Sequence, residues 1–101
     1  MSTLHTVNKS PFEKSSMDSC LTYAKDGSSV LLYEDGIYGA IKGTAMAEKI
    51  AAHNGVAFYV LGPDLKARGI AEEKVADGIE IVDYTKFVSL AAENDKVMAW
   101  V

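Results

Sequence analysis

The unbroken apolar run from Val30 to Tyr33 constrains this chain more than any other stretch. A strand wetted on one face alternates polar and apolar residues. A run without alternation predicts a strand covered on both faces, as in the middle of a parallel sheet. The run stops at Glu34-Asp35-Gly36, two carboxylates and a turn residue. In open α/β sheets ligands and partners are met at the carboxyl ends of the strands, so this edge is the first place to look for function.

The remaining pattern alternates strand and helix. Leu4 to Val7 reads as a short strand. Ser10-Pro-Phe-Glu13 reads as a helix start, with serine as cap, proline at the first helical position and glutamate three residues after the cap. That helix is expected to run to about Ala24 with an apolar face of Met17, Cys20, Leu21 and Ala24. A second helix is expected from about Thr44 to His53, and a strand from Val56 to Leu61. Asp64 is expected to cap a short helix, Leu65 to Arg68, ended by Gly69. Ile79 to Val82 reads as a strand. Asp83 then caps a helix through Ala92 whose core side is Phe87, Val88 and Ala91, and Val97 to Val101 is the last strand. Five strands joined by helical, right-handed crossovers predict one domain over residues 1–101, a three-layer α/β/α sandwich around a parallel sheet.

Composition narrows the function. Net charge is −4 over 101 residues, without a basic cluster, which argues against direct contact with a nucleic-acid backbone. No apolar stretch is long enough for a bilayer, and no basic segment followed by an apolar core suggests a signal peptide. With Cys20 the only cysteine, an internal disulfide is impossible. A reducing, cytoplasmic setting is expected. A chain this small has little surface to spare for covering a sheet on both sides, so some apolar side chains are expected to be buried against another subunit.

Each candidate site has a plain alternative. Cys20 is either a small buried hydrophobe or a sulfur-carrying thiol, and its helical neighbours Ser16, Met17, Tyr23 and Ala24 include no cation to favour the thiolate. Glu34 and Asp35 could be metal or acid/base carboxylates, yet a single pair lacks the further ligands a divalent cation needs. A receiver domain would need acidic residues at the tip of the first strand, where this chain has Val7-Asn8-Lys9. Gly36, Gly39 and Gly43 follow the second strand rather than the first, so they read as turn glycines and not as a dinucleotide fingerprint. His5 and His53 have no companions to complete a metal set and read as packed, hydrogen-bonded histidines. Trp100 is either core or an interface anchor.

Several segments taken in order resemble the DsrH/TusB family of sulfur-relay proteins: Leu4-His-Thr-Val-Asn-Lys-Ser-Pro-Phe12, Leu31-Leu-Tyr-Glu-Asp-Gly36, Tyr59-Val-Leu-Gly-Pro-Asp-Leu-Lys-Ala-Arg-Gly69, Val82-Asp-Tyr-Thr-Lys-Phe-Val88 and Met98-Ala-Trp100. The resemblance implies the DsrE-like fold and the role of smallest subunit in a cytoplasmic dimer of heterotrimers, beside DsrE-like and DsrF-like chains. In one branch, TusBCD, such a complex passes persulfide sulfur toward 2-thiouridine at the tRNA wobble position. In the other, DsrEFH, it serves dissimilatory sulfur oxidation and exchanges sulfur with the carrier DsrC. The oxidation branch carries a cysteine in the first helix, and Cys20 matches it in position. The resemblance therefore leans toward DsrH, with Cys20 as accessory sulfur acceptor. The alternative is a non-catalytic structural subunit of the tRNA branch. Neither role calls for a metal, nucleotide or organic cofactor, because persulfide sulfur moves between thiols directly.

Overall fold

The structure, a computed structural model, describes residues 2–12 and 15–101. Its elements follow one another as β1 (Thr3–Val7), α1 (Ser16–Tyr23), β2 (Ser29–Leu32), a 3-10 helix (Glu34–Ala40), α2 (Ala45–Ala51), β3 (Ala57–Leu61), α3 (Gly62–Ala67), a short 3-10 turn (Glu72–Lys74), β4 (Ile79–Val82), α4 (Tyr84–Glu93) and β5 (Lys96–Trp100). The strands form one five-stranded sheet in the order β4-β3-β2-β1-β5. All neighbours are parallel. β2 is thus the middle strand, and Val30, Leu31 and Leu32 are buried on both faces as the apolar run requires.

The order of the strands decides where the helices go. From β1 to β4 the sheet grows in one direction, and right-handed crossovers place α1, α2 and α3 on the same face. The connection to β5 returns across the whole sheet and puts α4 on the other. The first face packs Val7, Val30, Leu32, Phe58 and Val60 against Met17, Cys20 and Leu21 of α1, Met46 and Ile50 of α2 and Leu65 of α3. The second packs Leu4, Leu31, Leu61 and Val82 against Leu90, with Phe87 and Ala91 half-buried beside them.

Local chemistry accounts for most boundaries. The side chains of Thr44 and Asp83 accept hydrogen bonds from Ala47 N and Lys86 N and cap α2 and α4. Gly69 adopts φ +68° after α3, Gly69 N donates to Lys66 O, and Ile70 N donates to Leu65 O. This pair of bonds is the glycine-dependent stop expected there.

Three expectations are corrected. The Ser10 hydroxyl does accept from Phe12 N, at 3.2 Å, but this closes a single turn, and α1 begins only at Ser16. Phe12 is 72% exposed, so no burial draws the chain on into helix there, and Glu13 lies outside the described residues. Val88 is 68% exposed because α4 meets the sheet through Phe87, Leu90 and Ala91, a stripe centred about 100° round the helix from it. Asp64 does not cap its own helix. α3 starts at Gly62 with Pro63 in its first turn, and the Asp64 carboxylate instead accepts from Glu34 N at 2.6 Å. No helix among the described residues is long and apolar enough to cross a membrane.

Candidate functional site

Cys20 lies one turn before the end of α1, on the stripe that faces the sheet. It is fully buried among Met17, Leu21, Val7, Val30 and Leu32. Apolar surroundings penalise the charged form, and burial pushes its thiol up to about 12. Among the described residues no hydrogen bond reaches its sulfur, and no cation stands against it to favour the thiolate.

His5 has its own partners. It is buried in the middle of β1, and its Nδ1 accepts from Trp100 Nε1 on neighbouring β5 at 3.1 Å. The Tyr23 ring, at the end of α1, stands edge-on to both rings with centroids 6.0 and 5.8 Å away. Burial and, secondly, the Lys96 ammonium lower the pKa of His5. Trp100 is half-buried and packs against the first core, so its bulk at the chain end closes β5 over β1. His53 ties α1 to α2: its Nδ1 lies 2.9 Å from Lys49 O and its Nε2 3.1 Å from Leu21 O.

The carboxyl edge is held by polar contacts rather than opened for chemistry. Glu34 takes the left-handed backbone conformation at φ 48°, which costs a residue with a Cβ about 1 kcal/mol and is offset by the hydrogen bond from its N–H to Asp64. Arg68 Nε and Nη2 both donate to Asp35 Oδ1, at 3.1 and 3.0 Å. Gly36 and Gly39 sit inside the 3-10 helix and not in an open turn, and a Cβ on Gly36 would overlap the Val7 carbonyl. The edge also carries a shallow recess of about 490 Å3 lined by Ser10, Phe12, Asp35 and Tyr38. No trio of His, Cys, Asp or Glu side chains among the described residues is placed to hold a metal ion.

The structure therefore separates the residues the sequence singles out. Cys20 is inside the first core, His5 and Trp100 pair across β1 and β5, and Glu34 and Asp35 belong to the far edge. Sequence reasoning missed the partners Arg68 and Asp64, and it missed Tyr23, Lys25 and Lys96 around His5.

Comparison with known proteins gives one consistent family. Residues 9–97 match the family model described as "DsrH like protein". The chain is 33% identical over 97 residues to Protein TusB of Pectobacterium parmentieri, covering 96% of this chain and 99% of that one. It is 36% identical to Protein TusB of Erwinia tasmaniensis and 32% identical to that of Escherichia coli K12, with the same coverage. Among solved structures, the ychN protein from E. coli superposes with a TM-score of 0.78 over 98% of this chain and 99% of its own, at 20% identity. A protein of unknown function from Methanobacterium thermoautotrophicum gives 0.74 over 97% of both chains, at 12% identity. Those two likenesses concern the fold.

Proposed function

The chain belongs to the DsrH family, and from that premise we propose that it is the small, non-catalytic subunit of a cytoplasmic sulfur-relay complex of the TusBCD kind, acting toward 2-thiouridine in tRNA. Full-length relatives named TusB support this branch over the sulfur-oxidation branch that the position of Cys20 suggests. The observation that carries the structural role is the burial of Cys20.

Persulfide transfer begins when a thiolate attacks the outer sulfur of a donor persulfide. A new S–S bond forms to that sulfur, the old one breaks, and the donor leaves as its thiol. A thiol at about 12 is thiolate in roughly one molecule in a hundred thousand at pH 7. A fully buried sulfur also offers the donor no line of approach. In this reading the relay cysteine belongs to a sister subunit, and this chain shapes the complex around it. The net charge of −4 fits a subunit that does not itself hold the tRNA backbone.

The test is to assemble the chain with its sister subunits, load the complex from a persulfide donor and weigh each subunit intact. Added sulfur is expected on a sister chain and not on this one, with relay flux kept in Cys20→Ala. A sulfur adduct on this chain that Cys20→Ala abolishes would instead make Cys20 an acceptor and restore the oxidation-branch reading with its DsrC-like carrier.

A further inference from the structure

The amino ends of the strands, opposite the edge where α/β sheets ordinarily meet ligands, hold a small polar pocket. Thr3 and Lys96 are register partners on β1 and β5, and the two-residue period of a strand puts His5 on the same face as Thr3. Tyr23 ends α1, and the loop into β2 adds Lys25 and Ser28. Together these six residues line a cavity of about 150 Å3.

Its chemistry is one-sided. Two lysines line it and no carboxylate does. Among the described residues the ion pairs are made by Lys42, Lys49 and Arg68, and neither Lys25 nor Lys96 has one. The acids adjacent in sequence are turned to other tasks: Asp95 accepts from Ser2 N at 2.8 Å, and Asp26 lies against Gly55. Thr3, Ser28 and Tyr23 bring hydroxyl groups.

His5 supplies the decisive donor. Tryptophan can only donate, so the Trp100 bond fixes Nδ1 as the acceptor and leaves the proton of the neutral ring on Nε2. Among the described residues no acceptor meets that N–H, although the side chain is only 1% exposed. Asn8 Oδ1 is the sealed side-chain atom left without a partner among the described residues, so the His5 N–H is not closed off: it reaches the cavity that His5 lines, where an acceptor can meet it.

We propose that this pocket binds a small tetrahedral oxyanion of the sulfate or phosphate class. Lys25 and Lys96 neutralise its charge, while His5 Nε2 and the surrounding hydroxyls donate to its oxygens. The cavity equals the room of about five waters, enough for such an ion with part of its hydration and too small for a nucleotide. The site is independent of the sulfur-relay reading.

Trp100, the single tryptophan, is hydrogen-bonded to His5 and reports on the pocket. The full chain is titrated with sulfate and with inorganic phosphate, against chloride at matched ionic strength, following tryptophan emission. The imidazole nitrogen shifts of His5 are read in parallel by NMR. A saturable response to both oxyanions and not to chloride is expected. The Lys25→Gln/Lys96→Gln double variant is expected to weaken it roughly tenfold or more. Lys42→Gln/Lys49→Gln, removing lysines away from the pocket, is expected to leave it unchanged. The proposal is overturned by a response that rises without saturating, by equal saturation in the Lys25/Lys96 double variant, or by silence of both tryptophan and histidine.

Discussion

On the face of the sheet that carries α1, α2 and α3, buried side chains interlock from Val7 to Ile79. On the other face α4 works alone, holding Leu4, Leu31, Leu61 and Val82 under Leu90 while Tyr33, Tyr59 and Phe87 stay half-exposed. The difference follows from topology: three crossovers run one way and one runs back, so one helix must cover what three share opposite. Apolar residues left outside the thinner layer include Tyr84 and Val88 of α4. The same sheet thus presents one sealed surface and one half-finished one, and the only thiol lies on the sealed side.

Neighbouring leucines on β2 give the most direct way to break this comparison. Leu32 faces the thick layer, Leu31 the thin one, and both are fully buried. Leu32→Ala is expected to cost about 4 kcal/mol and Leu31→Ala about 3, because α4 can settle into the space while three packed helices cannot. Equal losses in urea unfolding would mean that the faces are equally rigid. Cys20→Ser comes next. Placing a hydroxyl in that apolar site is expected to cost about 2 kcal/mol, and Cys20→Ala less, by the same measurement.

Asp83→Ala removes the cap of the one helix on the thin face and is expected to cost about 1 kcal/mol. Amide exchange should then quicken in α4 while α1 and α2 keep their protection. The smallest effect concerns pH. The folded-state pKa of His5 lies below its ordinary 6.5, so just under that pH the unfolded chain binds more protons than the native one. Stability from this group is therefore full above about pH 6.5 and declines as the pH falls toward the folded value. His5→Gln should flatten that part of the stability profile, read as the unfolding midpoint from pH 5 to 8.

Much of this architecture was legible because it depends on runs and periods. An apolar stretch without alternation could only be a central strand, and Asp83 and Gly69 carry their capping chemistry in a few residues. The start of α1 misled because the Ser10 contact is real, yet it closes a turn instead of a helix. Val88 misled because an apolar residue one position off the stripe looks the same in a sequence as one on it. The polar pocket was illegible for a different reason. Its lining comes from four separate segments, each contributing one or two ordinary residues, and the bond that sets the His5 proton joins side chains 95 positions apart. Distance along the chain hid what distance in space makes plain.

Because β5 lies beside β1, β1 is paired on one side only until β5 has been made. Until then a nascent chain carries a raw edge at β1, with His5 lacking its tryptophan. Loss of β5 would leave that edge permanently open to pairing with another polypeptide.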